Sequence, residues 1–171
     1  MKEISFSNDI LPLKNELYRL ALRITLNPAE AEDIVQETLI KVWNRRGQWG
    51  DIDSIEAFCL TICRNLSLDK MRKMTNQQQS LSEIDDTPDT SHAANPEERA
   101  VQQDKVALVQ SLISQLPEKQ RSVMHLREFE GKSYKEIAQI MSISEEQVKV
   151  NIYRARQTIK QKYIEAERYG L

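Results

Sequence analysis

Apolar residues recur along most of the chain with the 3.6-residue period of amphipathic α-helices, and alternating strand patterns are scarce. The first apolar stripe consists of Ile10, Leu13, Leu17, Leu20, Ala21 and Ile24. After it, Asn27 suits an N-cap, Pro28 suits the first helical position and Glu30 completes a capping box. The sequence therefore predicts a first helix that ends near Asn27 and a second helix over residues 28–46.

A third helix is predicted after the glycines at positions 47 and 50, which interrupt the helical pattern. Asp53 or Ser54 can cap this helix, and its apolar stripe extends to Leu66. We place its end near Lys73. Together the three helices predict a first helical domain over residues 1–76.

The next segment, residues 77–95 (QQQSLSEIDDTPDTSHAAN), is polar and acidic and has no apolar period that could bury a face. We predict a flexible linker here. Asn95 and Pro96 then repeat the pattern of cap and proline, and Pro117 separates two further helices. The second of these covers residues 118–129, and the second domain as a whole covers residues 96–171.

Two capping boxes follow closely in the second domain, one formed by Ser133 and Glu136 and the other by Ser144 and Gln147. Between them the pattern predicts an eight-residue helix over residues 134–141, followed by a three-residue turn and a longer helix. This spacing is typical of a helix-turn-helix unit. The predicted fold is all-α, with two small helical domains joined by the acidic linker.

Scarce residue types exclude most catalytic functions. The chain has four glycines, so it can contain neither a dinucleotide fingerprint nor a phosphate-binding P-loop. His92 and His125 belong to no zinc-ligand pattern, and we expect no metal and no cofactor. Cys59 and Cys63 could form a metal or redox pair on one helix face, but they lie on the apolar stripe and are better interpreted as core residues.

The formal net charge of -2 is an average over three different segments. Residues 1–76 are neutral, residues 77–115 carry -5 and residues 116–171 carry +3. In the last helix, one face is predicted to carry Lys149, Tyr153, Arg154 and Gln157, opposite Val148, Ile152 and Ile159. Such side chains can contact phosphates and base edges in a major groove, although a basic helix face can also be merely solvated.

Three stretches resemble a known family. Residues 31–43 (AEDIVQETLIKVW) and 62–72 (ICRNLSLDKMR) are similar to region 2 of the extracytoplasmic-function group of the sigma-70 family. Residues 116–160 resemble region 4 of the same group. The resemblance implies a subunit that directs bacterial RNA polymerase to promoter DNA, and not an enzyme.

The resemblance also implies functions for individual residues. Asp33, Gln36 and Glu37 match the family positions that bind a coiled coil of the polymerase beta-prime subunit. The minus-10 element would be contacted by Asn65, with Arg64, Arg72 and Lys73 available for backbone phosphates. The minus-35 element would be contacted by Lys149, Tyr153, Arg154 and Gln157. Further partners implied are the polymerase beta subunit and an anti-sigma factor.

The chain departs from the family pattern at two places. Residues 58–63 (FCLTIC) lack the Trp and Tyr that many relatives carry before the Asn, which leaves Phe58 as a possible stacking ring. Glu146 and Gln147 replace a Gly-Thr pair at the start of the last helix. Local roles also remain open, because Asn65 can bond within its helix and Asp69 can pair with Arg72 or Lys73.

Two other functions are compatible with a helix-turn-helix unit. The chain could be a conventional two-domain regulator that binds an operator as a dimer, or a helical adaptor that binds only protein. The longest apolar runs are four residues, well below the roughly 20 needed to cross a bilayer, and the N-terminus lacks the apolar stretch of a secretory signal. We therefore expect a cytoplasmic protein with no membrane insertion.

Overall fold

The computed structural model describes residues 3–80 and 100–169, and every regular element within these ranges is helical. Seven α-helices occur in them: α1 (Lys14–Thr25), α2 (Pro28–Asn44), α3 (Ile55–Ser80), α4 (Ala100–Ser114), α5 (Glu118–Met124), α6 (Tyr134–Met141) and α7 (Glu145–Tyr169). Short helical turns cover Phe6–Ile10, Leu11–Leu13, Arg46–Asp51 and His125–Phe129. The all-α prediction is confirmed.

The first domain is a bundle of α1, α2 and α3, each of which packs on the other two. Leu26 adopts a left-handed conformation (φ 57°) and ends α1, where its N–H donates to the carbonyl of Leu22. Asn27 then caps α2, because its side-chain oxygen accepts from the N–H of Glu30 at 3.0 Å. The predicted cap and start of α2 are therefore confirmed.

The third helix is longer than predicted. Ser54 caps it through a hydrogen bond from the N–H of Ala57 at 3.1 Å, as one of the two proposed caps. The helix then continues to Ser80 rather than ending near Lys73. Its last turns therefore include the first four residues assigned to the linker, and the rest of the predicted linker lies outside the described residues.

The second domain consists of α4 to α7. The predicted helix over residues 118–129 is present, but its second half, His125–Phe129, is a π-helical turn. Gly131 follows with a φ of 67°, a conformation that suits a residue without Cβ. Helix α6 has the predicted bounds, and α6 and α7 are joined by the three-residue turn predicted from the capping boxes.

The two domains share one hydrophobic core. Buried residues of α1, α2 and α3 and buried residues of α5, α6 and α7 belong to the same cluster, and α6 packs directly on α3. Cys59 and Cys63 lie in this cluster as free, buried thiols, which confirms their interpretation as core residues. In the described part of the chain, no helix is both long and apolar enough to span a membrane.

Candidate protein and nucleic-acid interfaces

The first candidate surface is the acidic face of α2, defined here as Asp33, Gln36 and Glu37. All three side chains are exposed, because α2 buries the opposite stripe of Ala31, Ile34, Val35, Thr38 and Val42 in the core. The spacing of three and four residues places them on one side of the helix. This arrangement presents two carboxylates and an amide to a partner without disturbing the core.

Asp33 also connects α2 to α3. Its Oδ2 lies 3.5 Å from Nζ of Lys70, which lies 3.2 Å from Oε2 of Glu30. The hydrogen bond that Lys70 donates to Glu30, together with the charge of both carboxylates, raises the pKa of Lys70. Because Asp33 keeps 67% of its side-chain surface exposed, the ion pair does not remove it from the acidic face.

An apolar patch extends the acidic face and was missed by sequence reasoning. Ile40 is 59% exposed and Trp43 45% exposed, although both are large hydrophobic residues. The rings of Trp43 and Phe6 form a T-shaped pair with centroids 5.4 Å apart, and the guanidinium of Arg46 lies over the Trp43 ring. The signal that could have found the patch is its register, since Ile40 follows Gln36 by four residues on the same helix face.

The second candidate surface is the polar face of α3, defined as Asn65, Arg72 and Lys73. These side chains are exposed, whereas Cys59, Ile62, Cys63 and Leu66 on the other side are buried. Arg72 Nη2 pairs with Asp69 Oδ1 at 3.2 Å, which confirms the helical ion pair considered for Asp69. Phe58 is half-buried against the core.

Arg64 does not share the polar face of α3. Only 8% of its side-chain surface is exposed, and its Nη2 lies 3.0 Å from Oε1 of Glu118 in the second domain. The resemblance implied that Arg64 is available for backbone phosphates, but the structure buries its side chain. The reason is a partner 54 residues away, which no local periodicity can indicate.

The third candidate surface is the basic face of α7, defined as Lys149, Tyr153, Arg154 and Gln157. All four are exposed, and Tyr153 keeps 65% of its surface. The helix buries Val148, Ile152 and Ala155 instead. Lys149 Nζ lies 5.7 Å from the ring centre of Tyr134 at the start of α6. This contact connects the basic face to the first helix of the helix-turn-helix unit.

Both capping boxes predicted around the turn are present. The Ser133 hydroxyl accepts from the N–H of Glu136 at 3.1 Å, and the Glu136 carboxylate accepts from the N–H of Ser133 at 3.1 Å. Ser144 and Gln147 exchange the same pair of bonds at 3.1 and 3.0 Å. Each box satisfies backbone donors at a helix start and so fixes where α6 and α7 begin.

Charged side chains also form ion pairs between the two domains, and the sequence did not indicate these pairs. Arg19 donates two hydrogen bonds to Glu130, at 2.8 and 2.9 Å. Lys132 Nζ lies 2.8 Å from Oε1 of Glu16 and also contacts Glu56. Burial acts to lower the pKa of Lys132, but the two carboxylates raise it above its usual value. Each domain therefore supplies a cation to some of the ion pairs at the interface and a carboxylate to others.

Comparisons with known proteins agree with this two-domain organisation. The model of Sigma-70 region 2 matches residues 10–77, and the model of Sigma-70, region 4 matches residues 107–159. The chain is 30% identical over 145 residues to the ECF RNA polymerase sigma factor SigL of Mycobacterium tuberculosis, covering 84% of this chain and 80% of SigL.

A second relative is longer than this chain. The sequence is 24% identical over 163 residues to the probable RNA polymerase sigma factor RfaY of Xanthomonas campestris, covering 94% of this chain but 41% of RfaY. Among solved structures, the fold is similar to the sigma factor RpoE of Bartonella quintana, determined in complex with the anti-sigma factor NepR. That match has a TM-score of 0.71 and 24% identity, and covers 94% of this chain and 96% of RpoE.

Proposed function

Because the chain belongs to the extracytoplasmic-function group of the sigma-70 family, whose members bind core RNA polymerase and direct promoter-specific initiation, we propose that its three polar helix faces divide this work. The acidic face of α2 binds polymerase, the polar face of α3 contacts the minus-10 element, and the basic face of α7 contacts the minus-35 element. The supporting observation is that each face is exposed on a helix whose opposite side is anchored in the core.

The acidic face of α2 suits a protein partner that is basic or polar. Asp33, Gln36 and Glu37 offer two charges and an amide, which give orientation and partner choice. Ile40 and Trp43 add exposed apolar area beside them, and aromatic side chains are enriched where interfaces gain most of their affinity. We assign this combined surface to the coiled coil of the polymerase beta-prime subunit.

The polar face of α3 suits an opened DNA strand. Extruding a base from the stack costs a few kcal/mol, and hydrogen bonds to the base can offset that cost. Asn65 is exposed and carries both donors and an acceptor, whereas Arg72 and Lys73 supply positive charge for the strand's phosphates. Arg64 can join this face only when its pairing with Glu118 is broken.

The basic face of α7 suits duplex DNA. A helix that follows a three-residue turn is the element that enters the major groove in helix-turn-helix proteins. Arg and Lys can pair with guanine edges, and Gln can pair with adenine. The net charge of +3 in residues 116–171 is small, which is consistent with a protein that depends on polymerase to hold DNA. We place this activity in the cytoplasm, and regulation by an anti-sigma factor stays a prediction.

Run-off transcription tests the proposal. Core polymerase supplemented with the chain should transcribe a subset of a promoter library, and core alone should not. Asp33→Arg should weaken co-purification with core, whereas Asp53→Arg, the same charge reversal at another exposed site, should not. A specific nanomolar footprint by the chain without polymerase would contradict the proposal, as would unchanged core binding by Asp33→Arg.

A further inference from the structure

We propose that Glu118 is an autoinhibitory substitute for a DNA phosphate, which keeps Arg64 away from the minus-10 strand while the two domains are packed together. The proposal rests on the function assigned above to Arg64. Its basis is the contact of 3.0 Å between Nη2 of the buried Arg64 and Oε1 of the half-buried Glu118. A carboxylate oxygen at this distance occupies the position that a phosphate oxygen would take on the same guanidinium.

Glu118 also lines a depression at the edge of the polar face of α3. This depression of about 360 Å³ lies along the second half of that helix, and Glu118 is the residue of the second domain that lines it. The other lining residues belong to α3 and are Leu68, Met71, Arg72, Thr75 and Asn76. Glu118 therefore lines the same depression as Arg72 and also pairs with Arg64, so its charge lies near a path that a strand bound to α3 would follow.

Other charge pairs hold the second domain in this position. Lys132 lies between Glu16 and Glu56 of the first domain, and Arg19 holds Glu130 through two hydrogen bonds. The second domain supplies the cation in the first set of pairs and the carboxylate in the other pair. This complementary arrangement fixes how the domains fit together. Glu118 reaches Arg64 because these neighbouring pairs set the register of the interface.

The contact at Arg64 can be exchanged for DNA. Burying an ion pair removes the hydration of both charges, so its net contribution to stability is small unless every donor is satisfied. Among the described residues, Nε of Arg64 has no hydrogen-bond acceptor. A phosphate group offers several oxygens to the same guanidinium and can satisfy the donor that Glu118 leaves unpaired. When the two domains separate, Arg64 leaves Glu118 and can bind a DNA phosphate instead.

Binding of the full chain to a mixed-sequence single-stranded DNA 12-mer, followed by fluorescence anisotropy at low salt, tests the proposal. Glu118→Gln keeps the shape of the side chain and removes its charge, so the affinity should rise about fivefold to tenfold. Adding Arg64→Gln to this variant should abolish the gain. Glu118→Ala provides a second variant with the same expected gain, and melting temperatures check that each variant is folded.

The matched control is Glu128→Gln, because Glu128 pairs with Arg156 within the second domain and not across the interface. An equal gain in DNA affinity from Glu118→Gln and Glu128→Gln would show that the effect comes only from the change in net charge, and it would overturn the proposal. So would a gain that survives Arg64→Gln.

Transcription separates this proposal from the function on which it rests. In reconstituted holoenzyme at saturating chain, Arg64→Gln should lower run-off transcription, and Glu118→Gln should leave it unchanged. If Arg64→Gln has no effect there, the assignment of Arg64 to DNA fails. If Arg64→Gln lowers transcription but Glu118→Gln leaves the affinity of the free chain for DNA unchanged, the autoinhibitory contact alone fails.

Discussion

Arg121 of the second domain donates a hydrogen bond from Nη2 to the carbonyl of Ile24 at 3.0 Å, and so caps the end of α1 from outside the first domain. Its Nε donates to the carbonyl of Arg23 at 2.8 Å, and its Nη1 donates to the carbonyl of Leu116 at 2.8 Å. The last carbonyls of a helix have no partner within it. The buried Arg121 side chain therefore supplies donors to backbone carbonyls of both domains and connects them.

Arg121→Ala should accordingly destabilise the whole chain. The substitution leaves buried carbonyls without donors, and each such group costs about 1–3 kcal/mol. We expect the free energy of unfolding to fall by about 3–5 kcal/mol in urea denaturation. Arg121→Lys should lose less, and Arg168→Ala, at an exposed position near the end of α7, should change stability little. A small loss with Arg121→Ala would show that the cap is replaceable.

His125 should make the stability depend on pH. Burial, with the charge of Arg23 as a second cause, lowers the pKa of His125 to about 4. Arg23 Nε donates to Nδ1 of this ring at 3.3 Å, and Nε2 lies 3.0 Å from Glu130. Between pH of about 6.5 and 4 the unfolded chain takes up a proton here and the folded chain does not. Stability should therefore fall as the pH falls.

The size of this effect is measurable by difference. Urea unfolding at pH 7.5 and 4.5 should show that the wild type loses about 2–3 kcal/mol more than His125→Gln, since one pKa unit corresponds to about 1.4 kcal/mol. Carboxylates that do not contact His125 contribute equally to both proteins and cancel, and Glu130, which lies 3.0 Å from Nε2, is the exception. Equal losses in the two proteins would remove His125 as the cause.

The two thiols should be unreactive in the folded chain. Burial raises the pKa of both Cys59 and Cys63 to about 12, and Cys63 donates to the carbonyl of Leu17 at 3.3 Å. Iodoacetamide at pH 8 should add nothing to the native chain and two groups to the unfolded chain, as measured by mass spectrometry. A cysteine introduced by Gln110→Cys, at an exposed position, supplies the control for reactivity. An adduct on the native wild-type chain would contradict the prediction.

Arg154 should contribute to promoter choice rather than to polymerase binding. If it pairs with a base edge or phosphate of the minus-35 element, Arg154→Ala should lose about 1–3 kcal/mol, roughly a 5- to 150-fold drop in transcription at limiting holoenzyme. Co-purification with core should not change. Arg156→Ala is the matched control, because Arg156 pairs with Glu128 instead. Unchanged transcription from a cognate promoter would exclude Arg154 from the DNA contact.

Local sequence signals predicted the helices of this fold with little error. Asn27, Ser133 and Ser144 act within four residues of themselves, so each can be recognised without knowing the rest of the structure. The end of α3 was misjudged because residues 74–80 carry neither an apolar stripe nor a glycine or proline stop. The matches to both sigma regions leave the dimeric regulator and the protein-only adaptor without support.

The packing of the two domains could not be predicted. An arginine side chain is ordinarily exposed, and the burial of Arg64 is explained by its pairing with Glu118. Lys132 likewise needs two carboxylates from distant helices before it can be buried. Such contacts depend on three-dimensional proximity and leave no periodic pattern. The exposed Trp43 was missed for the opposite reason, since apolar residues are ordinarily assigned to the core.

The core shared by the two domains has a consequence for biosynthesis. The first domain leaves the ribosome before α6 has been made, so the apolar side of α3 that α6 later covers faces water during translation. Nascent chains of this protein are therefore candidates for chaperone binding at that surface, and truncated chains should aggregate more readily than complete ones.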